Sequence, residues 1–544
     1  MELAEPVAAG RALAVPAGLR RAAGVALAVA AWCAFTVLVG LFGQFSTKAL
    51  VVGVVDIGHA LMLAIAVGGG AVLARRTAPG ATWSVLATAA AAGAAAGAVL
   101  AWLAVAAEAA NLRWMLVSLT PVMLRRVGFG LAGPEAALLL AACGAAASVA
   151  GAALVRCGTL PRRVVLGALG GVVTAGLLRE LIRGVLGGIG GVEAWAFTYD
   201  GVLPAGAAAA AAIGAAIAAR PARGAVSRLP PRRRLLVRLV GIAVLLALPA
   251  VTNDFVAQVM LLVCLYTLMG MGLNIELGLA GLVDLGFVAF FAVGAYTVAL
   301  LTAHHTGVGH LGFFAALPVA ILAAAVFGFL FGLPVLKVRG DYLAIATLGL
   351  GEIIRVLVLS DMLKPLLGGA QGIVNIPKPE LFGIVLGSPT RLFYMAAVLT
   401  AIAGVVAWRV QHSGLGRRWL AVREDEDVAQ ALGIGLVRVK LSAYTMGAGF
   451  AGLAGGIFAG MVGSVFPQSF QLLVSVNVLA ILVVGGIGSL PGVLVGAVAL
   501  IGAPEVLRDL GEYRYLIYGL VIIAVVRLKP DGLSPKAVLQ REVA

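Results

Sequence analysis

Long apolar runs alternate with short polar loops along nearly the whole chain. A helix that crosses a bilayer needs about 20 apolar residues, and runs of that kind recur from end to end. In the first part they lie near 23–43, 49–74, 82–107, 134–155, 164–178 and 203–219, with 112–130 ambiguous because of Arg125 and Arg126. In the second part they lie near 236–252, 256–274, 282–303, 311–336, 342–359, 391–410, 441–466, 472–487, 490–503 and 513–528. The pattern predicts an all-α, polytopic transmembrane helical bundle.

The composition excludes the main alternatives to a membrane protein. Of the 544 residues, 62% are hydrophobic and only 12% are charged, whereas soluble domains are about half apolar and a quarter charged. A soluble enzyme is therefore excluded, and disorder requires low hydrophobicity with high charge. The net charge of +15 then indicates membrane topology rather than nucleic-acid binding, because basic loops stay on the cytoplasmic side.

A basic, proline-interrupted stretch predicts the boundary between two membrane units. Seven arginines without an acidic residue occur there, namely Arg220, Arg223, Arg228, Arg232, Arg233, Arg234 and Arg238. Such a stretch is typical of a cytoplasmic linker. We therefore predict an N-terminal transmembrane extension of unassigned role, residues 1–230, which ends in this linker, and a second domain at 231–544.

The distribution of basic residues predicts the orientation of the second domain. Six spans lead from the linker to the polar loop 411–440, and the loop 304–310 lacks Lys and Arg, whereas Lys337 and Arg339 mark an inner loop. The positive-inside rule then places 411–440 in the cytoplasm. Four further spans return the C-terminus to the cytoplasm.

The familiar sequence signatures of catalytic sites are missing. No GxxxxGK phosphate loop, HExxH zinc motif or GxSxG elbow occurs, and no two of the four cysteines form a CxxC pair. These patterns mark ATP hydrolysis, metal-dependent hydrolysis, serine hydrolysis and thiol chemistry. We therefore expect neither catalytic residues nor a metal or other cofactor.

The stretch GLGRRWLAVREDEDVAQALGIGLVRVKL, residues 414–441, has internal order. Its acidic cluster 424–427 suits the positive end of a short helix, and Gly433 and Gly435 supply a stop signal. The pattern predicts a short helix able to dock into a groove on another protein. A solvated connecting loop fits the same residues equally well.

Charged residues inside the apolar runs are the second signal, because ionisable groups at membrane depth are functional hypotheses by default. Glu352 and Arg355 lie three apart on one helical face and are expected to pair inside the bundle, either as a structural pair or in function. Glu276 and Asp284 bracket a glycine-rich break between two spans. The candidates for a translocation path are Asn274, Glu276, Asp284, Tyr342, Glu352 and Arg355.

The predicted external loop GGAQGIVNIPKPELFG, residues 368–383, combines glycine pairs with two prolines. This composition is typical of an ordered surface loop with polar groups available for hydrogen bonding. Its candidate functional residues are Gly368, Gly369, Gln371, Gly372 and Asn375. On the residues alone, the chain is a transporter or channel subunit with a cytoplasmic docking segment.

Several of these stretches together resemble a known family. They are LMGMGLNIELGLAGLVDLGFVAFFAVGAYTVALL, VLKVRGDYLAIATLGLGEIIRVLVL, GGAQGIVNIPKPELFG, LGRRWLAVREDEDVAQALGIGLVRVKLSAYTMGAGFAGLAGGIFA and LKPDGLSP. In this order they resemble the M-type permease of branched-chain amino acid ABC importers, over about residues 235–537. The resemblance implies a bacterial plasma-membrane importer with a second, homologous permease subunit, two ATP-binding subunits and an extracytoplasmic substrate-binding protein.

The resemblance also assigns a role to the polar loop, as the coupling helix that meets the ATP-binding subunit. The residues concerned are Arg423, Glu424, Asp425, Glu426, Asp427, Ala431, Leu432, Gly433 and Gly435. Related permeases carry urea or short amides, so the substrate class has an alternative. Leu367, Gln371 and Glu276 also depart from the usual family pattern. An ion-coupled secondary transporter, using Glu276, Asp284 or Glu352, is the rival from another class, and a scaffold is the rival role for residues 1–230.

Overall fold

A computed structural model of the chain describes residues 17–76, 82–109, 116, 118–131, 133–187, 192–198, 201–219, 246–250, 252–303, 311–335, 341–508, 511 and 513–535. The predicted Arg220–Arg238 linker, most of the span predicted at 236–252, and the loop 304–310 lie outside these residues. The chain divides near residue 230 into two units, and each is described by itself.

Helices and one small hairpin make up the N-terminal unit. They are α1 (Ala17–Leu38), α2 (Leu41–Phe45), β1 (Ala49–Val51), β2 (Val55–Asp56), α3 (Ile57–Arg76), α4 (Thr82–Ala109), α5 (Pro121–Val127), α6 (Gly133–Arg156), α7 (Thr159–Leu177), α8 (Arg179–Leu186), α9 (Val192–Ala196) and α10 (Pro204–Ala219). The prediction of one span over 49–74 is wrong at its start, because β1 and β2 pair antiparallel and the carboxylate of Asp56 then accepts a hydrogen bond from the His59 backbone N–H at 2.7 Å. A helix begins only after this cap.

Small residues bring the helices of this unit into close contact. A Cβ atom added to Gly93 on α4 would lie 2.0 Å from the Gly144 carbonyl oxygen on α6, and one added to Gly70 on α3 would lie 1.9 Å from the Ser148 carbonyl oxygen. Such contacts are typical of helices that pack within a membrane, where close backbone approach replaces the hydrophobic drive available in water. The Gly/Ala-rich composition of this unit therefore serves helix packing.

The second unit, called the permease unit below, contains thirteen helices among its described residues that we number on from the first unit. They are α11 (Asp254–Leu273), α12 (Val288–Thr302), α13 (Phe313–Val335), α14 (Asp341–Leu359), α15 (Lys364–Leu367), α16 (Pro389–Gln411), α17 (Gly414–Glu424), α18 (Glu426–Ala431), α19 (Leu436–Val462), α20 (Leu472–Gly485), α21 (Leu490–Ala497), α22 (Ala503–Val506) and α23 (Tyr513–Leu528). Two short strands, β3 (Glu380–Leu381) and β4 (Ile384–Val385), form a hairpin.

Ten helices within the described ranges are long and apolar enough to cross a membrane. The polytopic helical bundle predicted from the hydrophobic pattern is therefore confirmed. The span predicted at 282–303 is shorter than expected, since α12 begins only at Val288. The residues just before this break form a π-helix, Asn274–Leu279, and a second π-helix, Val498–Gly502, interrupts the span predicted at 490–503. π-Helical segments of this kind often occur at functional sites.

Helix α19 lies at the centre of the permease unit and carries a row of glycines. A Cβ atom on Gly455 would lie 2.0 Å from the Phe291 carbonyl oxygen of α12, and one on Gly294 of α12 would lie 2.2 Å from the Gly452 carbonyl oxygen. On the other side, a Cβ on Gly452 would lie 2.5 Å from the Ala324 Cβ of α13. Backbone-to-backbone contact of this kind is possible only without side chains.

We expect Gly294→Ala to destabilise the permease unit by about 1–3 kcal/mol, because a methyl group at this crossing must push the α12 and α19 backbones apart. Thermal unfolding of the purified chain in detergent measures the loss. The matched control is Gly349→Ala on α14, where a Cβ atom meets nothing within 4 Å and alanine favours the helix. Equal unfolding midpoints for the two variants would contradict the close crossing.

Candidate functional site

The polar loop folds as two short helices rather than the single one expected. Helix α17 ends at Glu424, and α18 begins at Glu426. Asp425 separates them in an extended conformation, and its Oδ1 accepts hydrogen bonds from the backbone N–H groups of Asp427 at 2.9 Å and Val428 at 3.0 Å. The prediction that all four acidic residues begin one helix is therefore wrong for Glu424, since an aspartate cap starts a new helix.

Trp419 anchors α17 to the membrane-spanning helix α19. Its side chain is completely buried, and its Nε1–H donates to the Val439 carbonyl oxygen at 3.1 Å and to the Ser442 hydroxyl at 3.0 Å. A buried indole needs such partners for its polar edge. At the start of α17, a Cβ atom on Gly416 would lie 2.2 Å from the Gln411 carbonyl oxygen. The helix pair is thus held in a defined position.

Helix α18 and the residue that follows it present apolar side chains on the outer surface. Val428 is 55% exposed and Leu432 is 76% exposed, whereas Ala429 packs inward and Lys440 forms an ion pair with Glu426. Gly433 then ends the helix at φ +83°, a conformation that glycine adopts at helix C-termini without strain. We call Val428 and Leu432 the docking ridge, because exposed apolar groups on a polar segment suit burial against another protein.

Arg423 connects this segment to the interior of the permease unit. Its guanidinium NH1 donates to the Gly278 carbonyl oxygen at 2.5 Å. Gly278 lies in the π-helix that follows α11. Beside it, Gly281 has φ +74°, and a Cβ atom there would lie 3.1 Å from Arg423 Cγ. The last turn of α17 therefore rests directly on the break between α11 and α12, so a movement of α17 can reach that break.

Three of the six translocation candidates lie together at this break. Asn274, Glu276 and Asp284 are all buried. The amide oxygen of Asn274 accepts from the Gly488 backbone N–H at 2.8 Å, and Asp284 Oδ1 accepts from the Gly286 backbone N–H at 2.7 Å. These bonds fix the chain on both sides of the π-helix.

The other three candidates lie on the exposed face of α14. Glu352 and Arg355 pair as expected, with Arg355 Nε 2.9 Å from Glu352 Oε1, but both side chains are partly exposed, and Tyr342 is exposed as well. The expectation that this pair lies inside the bundle is therefore wrong for the single subunit, because the buried face of α14 is formed by Leu350, Ile354 and Val358 instead. The three candidates at the break and the three on α14 are connected through Thr347, whose hydroxyl accepts a hydrogen bond from the Leu285 backbone N–H at 3.1 Å.

The loop 368–383 lies at the opposite end of α19 from the polar segment. Ile373 exchanges backbone hydrogen bonds of 3.0 and 2.8 Å with Val465, which follows α19. Gly368 and Gly372 have φ +78° and +62°, and a Cβ atom on Gly372 would lie 2.0 Å from the Val465 carbonyl oxygen. Gly369 begins a turn that contains Gln371, and the side chains of Gln371 and Asn375 are exposed.

Two further residues of this loop were not singled out from the sequence. Lys378 Nζ donates to the Met461 carbonyl oxygen at 2.6 Å. Its positive charge therefore stabilises the partial negative charge at the C-terminal end of α19. Partial burial lowers the pKa of the Lys378 ammonium below its usual range. Phe382 is 96% exposed at the tip of the β3–β4 hairpin. In the sequence, the sign of this exposed tip is that the aromatic residue Phe382 lies between prolines and a glycine.

Within the described part of the chain, no group of three or more His, Cys, Asp or Glu side chains is placed to hold a metal ion. The site therefore consists of a docking ridge, a buried polar break and an ordered loop, arranged along the length of α19. Such an arrangement can transmit movement between its two ends, since rigid helices carry displacements over their whole length.

Comparison with known proteins assigns the chain to a family. The family described as branched-chain amino acid transport system permease component matches residues 255–526, a range that contains every candidate residue named above. The chain is 40% identical over 327 residues to the high-affinity branched-chain amino acid transport system permease protein LivM of Escherichia coli (strain K12), covering 56% of this chain and 75% of the relative.

More distant relatives are similar over nearly their whole length. The chain is 24% identical over 333 residues to the probable branched-chain amino acid transport permease protein LivM of Methanocaldococcus jannaschii, covering 52% of this chain and 94% of the relative. It is 24% identical over 286 residues to the permease protein LivH of Escherichia coli (strain K12), covering 49% and 90%. No solved structure matches the chain significantly. The chain is thus a multi-pass membrane transport subunit that belongs to the family of branched-chain amino acid transport system permeases.

Proposed function

We propose that this chain is the permease subunit of an ABC importer and moves branched-chain amino acids across the membrane. The observation that carries the proposal is the 40% identity to a relative named for high-affinity branched-chain amino acid transport. The matched range 255–526 includes both the polar break and the docking ridge, the parts that we propose for substrate movement and for energy input.

ATP hydrolysis is proposed to take place on separate ATP-binding subunits that contact α18. The docking ridge supports this, since Val428 and Leu432 expose apolar surface to solvent on an otherwise polar segment. ATP-driven closure of the partner subunits would press on α17 and α18. Through Arg423 and the Gly278 carbonyl, that pressure would shift the break between α11 and α12, and through Thr347 it would reach α14. The result is a two-state change biased by ATP.

The second permease subunit is proposed to be homologous but different, because the chain resembles both LivM and LivH relatives. The exposed face of α14 is the proposed surface toward the path between the two subunits. A charged pair such as Glu352 and Arg355 is costly when it faces lipid, so a partner surface or a water-filled path is the more favourable environment.

The orientation is proposed from the basic loops. The polar segment, with Arg417 and Arg418, and the C-terminus would lie in the cytoplasm, where ATP is available. The loop 368–383 at the other end of α19 would then face the extracytoplasmic substrate-binding protein. We propose that residues 1–230 form an additional transmembrane scaffold, since the family match begins only at residue 255.

Uptake by the complex reconstituted in proteoliposomes tests the proposal. We expect labelled leucine, isoleucine and valine to accumulate only when binding protein and internal ATP are both present, with urea and acetamide excluded. Vesicles that contain a non-hydrolysable ATP analogue serve as the control. Leucine uptake driven by a proton or sodium gradient without ATP would contradict the ABC mechanism, and uptake of urea alone would contradict the substrate class.

A further inference from the structure

A set of buried polar atoms at the break between α11 and α12 has no hydrogen-bond partner within the described residues. They are both carboxyl oxygens of Glu276, Oδ2 of Asp284, the hydroxyl of Tyr444 and Nδ2 of Asn274. All four side chains are buried, with Glu276 at 0% exposure. Unsatisfied polar groups at such depth are costly, so a cluster of them indicates a ligand or a proton that completes the bonding.

The carboxyl groups of Glu276 and Asp284 are side-chain neighbours, and the buried Tyr444 lies within range of both charges. Two carboxylates carry only acceptor atoms and cannot bond to each other, whereas one proton between them makes a strong hydrogen bond. Two like charges in contact in an apolar interior also repel strongly, so one of them is kept neutral. Arg423, a cation that contacts this break, gives its NH1 to the Gly278 carbonyl oxygen instead.

The surroundings distinguish the two carboxyl groups. Asp284 receives a hydrogen bond from the Gly286 backbone N–H at 2.7 Å. Donors of this kind stabilise a carboxylate. Glu276 receives none. The proton therefore belongs on Glu276, with Asp284 as the ionised acceptor.

Close packing argues against a metal cation at the same place. A Cβ atom on Gly447 would lie 1.9 Å from Glu276 Oε1, so the α19 backbone presses directly on the carboxyl group. Oxygen atoms are present here, but a sodium ion would also need open space between its ligands, whereas a proton needs none. The absence of a side chain at Gly447 is what makes room for the carboxyl group itself.

We propose that Glu276 and Asp284 form a proton-binding site, in which protonated Glu276 donates to the Asp284 carboxylate. This hydrogen bond holds together the break between α11 and α12. The proposal goes beyond the transport function. The site lies between the Arg423–Gly278 contact and the contact of Thr347 with residue 285, so its hydrogen bond joins the polar segment to α14.

Infrared spectroscopy of the full-length chain in its complex tests the proton directly. At pH 7 we expect a protonated-carboxyl C=O band that shifts to lower wavenumber in D₂O and disappears in Glu276→Gln. The matched control, Glu380→Gln in the exposed hairpin, leaves the band unchanged. The proposal is wrong if the wild type lacks the band or if the band survives in Glu276→Gln.

Thermal unfolding gives a second readout. The amide of Glu276→Gln can still donate to Asp284, so its unfolding midpoint should stay near that of the wild type. Glu276→Met has similar volume but no donor, and it should lower the midpoint by several degrees because Asp284 is left unsatisfied. Equal midpoints for Gln and Met would contradict the hydrogen bond. A sodium-dependent rise of the wild-type midpoint, lost in Glu276→Gln, would assign the site to a cation instead and overturn the proposal.

Discussion

Replacing Leu432 by glutamate is expected to reduce ATP-driven uptake at least about tenfold while the subunit remains folded. Leu432 is 76% exposed and follows α18. Trp419 anchors the preceding helix, α17, to α19. A charge on this ridge would have to be desolvated against the proposed ATP-binding subunit. Loss of one central apolar anchor typically costs an interface about 2 kcal/mol or more.

Coupling is measured as the ratio of leucine transported to ATP hydrolysed in proteoliposomes, together with assembly of the complex by size-exclusion chromatography. Leu415→Glu is the matched control, because Leu415 is also an exposed leucine of the polar segment but lies on α17. We expect near-normal coupling in that variant. If Leu432→Glu transports normally, or if both variants fail equally, α18 is not the specific contact to the ATP-binding subunit.

Trp419→Ala is expected to have the largest effect on stability, about 3–5 kcal/mol, because it empties a fully buried site and removes the bonds to Val439 and Ser442. Trp419→Phe keeps most of the packing and should lose only about 1–3 kcal/mol, the cost of losing the indole N–H hydrogen bonds to the Val439 carbonyl and the Ser442 hydroxyl. Helix α17 would then separate from α19.

Limited trypsin digestion measures this separation, because Arg417 and Arg418 lie in the same helix as Trp419. We expect faster cleavage there in Trp419→Ala and a lower unfolding midpoint. Trp408→Ala is the control with the same side-chain change, since Trp408 is largely exposed on α16 and its removal should change neither measurement appreciably. A protease pattern identical to that of the wild type in Trp419→Ala would contradict the anchoring role.

The hydrophobic pattern predicted most spans correctly and failed where local geometry departs from a regular helix. Residues 49–56 are as apolar as a span, yet they form a hairpin because Gly53 turns the chain at φ +72° and Asp56 caps the next helix. The glycine-rich break between α11 and α12 was predicted, but the pattern began the next span at 282, whereas α12 begins at Val288. Apolar content measures partition into a membrane, and it does not report which backbone conformation the apolar residues adopt.

Side-chain placement was harder to predict than the spans. Spacing along one helix correctly paired Glu352 with Arg355, because neighbours at i and i+3 depend on local geometry alone. Spacing could not show that the pair faces outward in the single subunit. Nor could it show that Glu276 would pack against Gly447, which lies more than 150 residues further along the chain.

The sequence by itself determined the membrane class, the order of the spans, the polar segment and the family, since each depends on composition, periodicity or contiguous motifs. The tertiary structure decided which of those residues act together. It placed Arg423 on the π-helix at Gly278, buried two carboxyl groups side by side, and left Val428 and Leu432 exposed. These outcomes depend on which helices cross at glycines and how closely, and that information is distributed over contacts distant in the chain.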